Sequence, residues 1–187
     1  VADAISVAIG KISGPFLVLL GDMVILDDHV PPQNAGVDGA SRASLRLVEN
    51  YEKYGLPCVG IFPVGMDEIS NYGVVSFNDN IVEEIIEKPE ERDAPSEYIL
   101  CGRYLFPEDT GEIIEKFPAS EFGEMQSIRV LEMMAKGRGL RIEKLDGMKM
   151  YDSGDPISWL KSQVDHSLLR SDLADDMRNW LNERLEE

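Results

Sequence analysis

The sequence is poor in the residues from which several kinds of function are built. Its 187 residues include two cysteines, two histidines and two tryptophans, and aromatic residues make up only 7%. Cys58 and Cys101, both in apolar surroundings, are no disulfide framework. They read as small buried hydrophobes, and the simplest setting for them is a reducing cytoplasm. His29 and His166 stand far apart with no ligand spacing around either, so both read as surface or supporting residues and no zinc site is expected. No apolar run approaches the ~18–20 residues of a membrane span. The N-terminus shows no succession of basic segment, apolar stretch and cleavage site, so no signal peptide is expected. Bases are scarce as well: 18 Lys and Arg against 35 Asp and Glu leave a formal charge of −17. A surface so acidic repels nucleic acid and anionic membranes, and neither is expected as a partner. It repels phosphates too, so any phosphate chemistry must rest on a few local cations or a metal.

What is present is enough for one generous domain. Apolar residues make up 43% of the chain, which permits a real core. Ala2, Ile5, Ala8, Ile9 and Ile12 recur at helical spacing, and Ser13-Gly14-Pro15 stops that helix. Residues 16–20 are five apolar residues in a row, the pattern of a strand buried on both faces. A helix over 44–54 stops at Gly55, and 59–64 reads as another buried strand. Residues 72–77 and 81–87, separated by Asn78-Asp79-Asn80, predict a hairpin. Strands follow at 98–106 and 140–145, with helices at 108–116, 124–136, 157–169 and 173–185. Strands alternating with helices imply an α/β fold, a parallel or mixed three-layer sheet with the hairpin inserted beside it. In such folds ligands gather at the carboxyl ends of strands.

Four short motifs carry chemistry. In Gly21-Asp22, at the end of the first strand, glycine lets a ligand approach the backbone and the carboxylate suits a hard cation. Taken alone, an Asp there is a turn former. Asp152-Ser153-Gly154-Asp155-Pro156 repeats the pattern. Asp155 has a ready structural role as the N-cap before Pro156, whereas Asp152 has none. Two carboxylates can hold one Mg²⁺ against a polyphosphate that completes its shell. In Glu87-Lys88-Pro89, proline fixes the exit from a strand, so Lys88 is placed to meet a phosphate and Glu87 to accept from sugar hydroxyls; seen alone, they are a solvated pair. Gly73, inside a strand pattern, marks either a close backbone approach or a β-bulge. Met133, Met134 and Leu131 read as the core face of a helix, and 90–93 as a solvated loop tip.

Leu-Leu-Gly-Asp (19–22), Asn-Tyr-Gly-Val-Val (71–75), Ile-Glu-Lys-Pro (86–89), Cys-Gly-Arg-Tyr (101–104), Gly-Glu-Met-Gln (123–126) and Tyr-Asp-Ser-Gly (151–154) occur in that order. Together they resemble the sugar-1-phosphate nucleotidyltransferases of the bacterial UTP–glucose-1-phosphate uridylyltransferase type. The resemblance implies a Rossmann-like αβα mixed sheet, with a sugar-binding part at about 65–155 and C-terminal helices at about 156–187. It implies transfer of a uridylyl group from UTP to glucose 1-phosphate, a Mg²⁺ cofactor and a homo-oligomer, dimer or tetramer. It assigns the metal to Asp22 and Asp152, the sugar phosphate to Lys88 and the sugar to Glu87 and Gly73, with Gly21 among the substrate-binding residues. Gly102 and Arg103 would line or support the same pocket, and Tyr104 would be core. The family's glycine-rich triphosphate loop has no counterpart in this sequence, which implies that the family's N-terminal third and its strands are missing. Ser127-Ile128-Arg129-Val130 also departs from the usual continuation after Gln126. A non-catalytic sugar-phosphate-binding remnant or subunit, and a thymidylyltransferase-type relative, are the other readings of the same motifs.

Overall fold

The computed structural model describes residues 2–26, 42–115 and 127–186. His29 and the Gly-Glu-Met-Gln motif at 123–126 lie outside the described residues. The chain divides into two compact units, Val1–Leu19 with Arg46–Asp146 and Leu20–Leu45 with Gly147–Glu187.

In the first unit, helix α1 (Ala2–Ala8) tightens into a 3₁₀ turn at Ile9–Lys11 and ends before Gly14, whose φ is 77°. Strand β1 (Phe16–Leu19) follows; β2 (Met23–Leu26) already belongs to the second unit. Helix α2 (Arg42–Tyr54), in the first unit from Arg46 onward, stops at Gly55 (φ 67°), whose N–H donates to the Tyr51 carbonyl at 2.7 Å. Then come β3 (Cys58–Pro63), β4 (Gly73–Asn78), β5 (Ile81–Glu87), β6 (Tyr98–Phe106), α3 (Thr110–Glu115), α4 (Ser127–Gly137) and β7 (Arg141–Lys144).

The six strands order as β1-β6-β3-β7-β5-β4. The sheet is mixed: β3 and β7 run parallel, while β6 runs antiparallel to β1 and β3. The hairpin turns through Asp79 and Asn80, both at positive φ (49° and 62°), as a tight turn with the native strand twist requires. It is joined to the sheet at both ends, by Ile81 opposite Arg141 and by Val74 opposite Ile99, so the pairings β6-β3-β7-β5-β4 close on themselves. The core of this unit is made by β3 and β6 with Leu47, Ile69, Leu131 and Met134, all essentially inaccessible. Truncating one such side chain typically costs ~2–5 kcal/mol.

Three expectations change. Residues 16–20 do not form a strand buried on both faces. Among the described residues β1 pairs with β6 alone; its residues are half-buried and Leu19 is 52% exposed. An unbroken apolar run cannot distinguish a central strand from an edge. β2 has no counterpart among the expected strands, because four residues are too short to show a period. The bulge in the hairpin lies between Ser76 and Phe77, not at Gly73.

The second unit is a ribbon and two helices. β2 pairs antiparallel with β8 (Lys149–Asp152), and α5 (Pro156–Leu169) and α6 (Ala174–Leu185) follow. Asp155 caps α5 as expected: its Oδ1 accepts from the N–H of Ile157 at 2.9 Å and of Ser158 at 3.0 Å, with Pro156 in the first turn. Tyr151 donates its hydroxyl to Asp165 at 2.5 Å, tying the ribbon to α5. No helix among the described residues is long and apolar enough to cross a membrane.

Candidate functional site

The ribbon of the second unit brings two acids together. Met23 stands opposite Asp152 in the β2–β8 register, so the turn before β2 and the turn after β8 share one end. The N–H of Ser153 donates to the carbonyl of Asp22 at 2.7 Å and locks the turns to each other. The N–H of Gly154 donates to Asp152 Oδ1 at 2.9 Å and sets that carboxylate's direction. Both side chains then aim at one place. A Cβ at position 154 would stand 3.1 Å from Asp152 Oδ1 and 3.7 Å from Asp22 Oδ2. Among the described residues neither carboxylate has an ion-pair partner. Two acid side chains beside one open space are the kind of donor set that suits a hard divalent ion with oxygen ligands. Gly21 is exposed, and among the described residues there is open space where its Cβ would be.

The sugar-side candidates lie on the first unit. Gly73 pairs with Glu87 across β4 and β5. A Cβ on Gly73 would meet Ile128 Cδ1 at 2.9 Å, Glu87 Oε2 at 3.1 Å and Leu100 Cδ1 at 3.3 Å. The missing side chain thus makes room for the Glu87 carboxylate beside Ile128, and Ile128 belongs to the stretch where the sequence leaves the family pattern. Lys88 follows β5 with φ 46°, a conformation uncommon for residues with a Cβ and unusual before proline. Its N–H donates to the Tyr72 carbonyl at 2.9 Å, which holds the conformation. Its side chain is exposed and has no ion-pair partner among the described residues, in a chain with twice as many acids as bases. Strained backbone held by a neighbouring strand is typical of positions that present a functional group.

A model of the nucleotidyl transferase family matches residues 1–161, which take in both the acid pair and the hairpin. The chain belongs to that family. The UTP–glucose-1-phosphate uridylyltransferase of Streptococcus pneumoniae serotype 4 is 31% identical over 175 residues, covering 89% of this chain and 55% of the relative. A UDP-glucose pyrophosphorylase structure from Acinetobacter baumannii superimposes with a TM-score of 0.78 at 20% identity, covering 98% of this chain and 61% of that one. Another, of a UDP-glucose pyrophosphorylase complexed with UDP-glucose, gives a TM-score of 0.67 at 27% identity, with 87% of this chain and 60% of that one covered. The chain therefore spans little more than half the length of the curated relatives it matches.

Within this family fold Gly102 and Arg103 sit at a bulge. Between the pairs Val59–Tyr104 and Ile61–Leu100, β6 carries the extra residues, and Gly102 (φ 65°) absorbs the bend. The bend lets β6 serve β4 at Ile99 and β1 from Arg103 onward. Gly60 opposite must stay small, since a Cβ would touch Arg103 Cβ, Cys101 Sγ and Leu145 Cδ1, each at 3.1 Å. Arg103 is 8% exposed and its Nη1 donates to the Gly102 carbonyl at 3.0 Å, so it braces the bulge. Tyr104 is core, stacked on Phe106 at 5.9 Å. Burial pushes both thiols, Cys58 and Cys101, up to about 12, which leaves them inert. The residue the sequence undervalued is Gly154. In the sequence it is a glycine that permits a tight turn, and only the register of β2 on β8 shows that it floors the acid pair.

Proposed function

We propose that this chain is the sugar-phosphate and metal-holding part of an enzyme that joins UTP and glucose 1-phosphate to give UDP-glucose and pyrophosphate. The observation that carries the reading is the convergence of Asp22 and Asp152 on the space above Gly154. The likeness to uridylyltransferases supports the choice of substrates. A phosphate oxygen of glucose 1-phosphate attacks the α-phosphorus of UTP in line. The bond from that phosphorus to the β-phosphate oxygen breaks, and pyrophosphate leaves with the electron pair. No covalent intermediate with the protein is needed, so the residues act by positioning and charge neutralisation. Asp22 and Asp152 would hold a Mg²⁺ ion, which would supply positive charge to the crowded phosphates. Lys88 binds the sugar phosphate and offsets repulsion from the acidic surface. Glu87, placed by the absent side chain of Gly73, accepts hydrogen bonds from glucose hydroxyls. Gly21 and Gly102 add backbone to the substrate site, and Arg103 supports it.

Pyrophosphate release from the complete enzyme, assayed with UTP, with dTTP and without nucleotide, tests the reading. Release with UTP and glucose 1-phosphate, lost in Asp22→Asn and Asp152→Asn, is the expected result. Preference for dTTP would move the protein to a thymidylyltransferase. Sugar-phosphate binding with no release would make it a non-catalytic subunit. A cytoplasmic homo-oligomer is the expected form, and light scattering of the purified protein measures its size.

A further inference from the structure

The first unit holds a second place suited to an anion. A cavity of about 380 Å³ opens between the second half of α2, β7 and the hairpin turn at Asn80. None of Gly73, Glu87, Lys88, Gly102 or Arg103 lines it. Arg141 lies in its wall, only 8% exposed. One edge of its guanidinium is fixed by Nε donating to Asn50 Oδ1 at 2.8 Å, and one face lies on the Tyr54 ring, with Cζ 3.6 Å from the ring centroid. Its two terminal nitrogens have no hydrogen-bond or ion-pair partner among the described residues.

One acid of the cavity wall is already engaged. Glu143 accepts from Arg46 Nε at 2.8 Å through Oε1 and from Asn50 Nδ2 at 2.8 Å through Oε2. Asn50 therefore serves Arg141 with its oxygen and Glu143 with its nitrogen, and the carboxylate is held off the guanidinium. Lys53 adds a second cation at the rim, its Nζ 4.9 Å from the Tyr54 ring. Glu49 is the remaining acid of the wall, and it forms no ion pair among the described residues. Burying a guanidinium without a counter-charge is costly, and its planar fork matches the oxygens of a phosphate group. In a chain of charge −17, a buried and pre-oriented arginine facing a cavity is the opposite of what surface composition supplies.

We propose that this cavity binds a phosphate-type oxyanion, with the terminal nitrogens of Arg141 as its bidentate partner and Lys53 as a second contact. Calorimetric titration of the purified protein with inorganic phosphate, at constant ionic strength and without nucleotide, tests it. Saturable binding is expected, weakened at least tenfold in Arg141→Gln and severalfold in Lys53→Gln. Arg141→Lys keeps the charge without the fork and should fall between native protein and Arg141→Gln. Lys88→Gln should affect only phosphate bound at the sugar-phosphate site and leave the component that depends on Arg141 in place. Titration with glycerol phosphate in parallel separates free phosphate from a phosphate monoester as the preferred form; binding of either supports the site. Should Arg141→Gln fail to fold, exposed Lys53 still decides. No saturable binding of either anion, or binding that survives Lys53→Gln and disappears in Lys88→Gln, would overturn the proposal.

Discussion

Replacing Gly154 by alanine separates metal holding from folding. The glycine is exposed and outside the left-handed region, so alanine fits its backbone without strain. Such replacements usually stabilise by ~0.4–1 kcal/mol, because the unfolded chain loses freedom. The new methyl, however, would stand 3.1 Å from Asp152 Oδ1, closer than ordinary contact, and 3.7 Å from Asp22 Oδ2. To clear it, the Asp152 carboxylate must shift by a few tenths of an ångström and loosen its 2.9 Å bond from the N–H of residue 154. Mg²⁺ tolerates such shifts poorly, since it demands near-octahedral geometry. Loss of an orienting contact behind a metal ligand typically costs 10–100-fold in affinity. We take the lower end, about tenfold or ~1.4 kcal/mol, because both acids can partly readjust toward solvent. The assay is titration with Mn²⁺ as a paramagnetic stand-in, following the free-ion signal, beside thermal unfolding in a chelator. The expected pair of results is weaker metal binding with an unchanged or raised Tm. Unchanged metal affinity with a raised Tm would show that the two acids do not share an ion above Gly154.

Lys88→Ala should raise the KM for glucose 1-phosphate more than that for UTP in steady-state kinetics; the reverse order removes Lys88 from the sugar phosphate. Gly102→Ala should cost ~1–2 kcal/mol in chemical denaturation, the usual penalty of a left-handed residue bearing a Cβ, with added cost from its buried bulge. Hydrogen bonds from Ser158 and from the N–H of Ile157 hold the Asp155 carboxyl below its ordinary value. Its contribution is therefore present above the unfolded carboxylate pKa of ~3.9 and is lost as pH falls through the lower folded value. Thermal scans should accordingly show Asp155→Ala less stable than native protein at neutral pH, with the gap closing as pH falls below the ordinary carboxylate range. Cys58 and Cys101, pushed up to about 12 by burial, should resist iodoacetamide at pH 8 in the native state and react after denaturation, read by mass spectrometry.

The local elements were legible in the chain because their causes are local. Gly55 stopping α2, Asn78-Asp79-Asn80 turning the hairpin, Asp155-Pro156 opening α5 and the nine-residue strand at 98–106 each follow from propensities that act over a few residues. The sequence by itself also determined the chemical vocabulary: scarce bases, inert cysteines, and acids placed after strands. Tertiary structure decided what those residues face. That β1 pairs with β6 joins residues far apart in the chain, such as Phe16 with Phe106, which no local pattern records. That Arg141 is buried against Tyr54 and separated from Glu143 by Asn50 depends on α2 packing beside β7. Asp22 and Asp152 are 130 positions apart. Only the β2–β8 register, one residue wide in its tolerance because side chains alternate along a strand, turns both toward the space above Gly154.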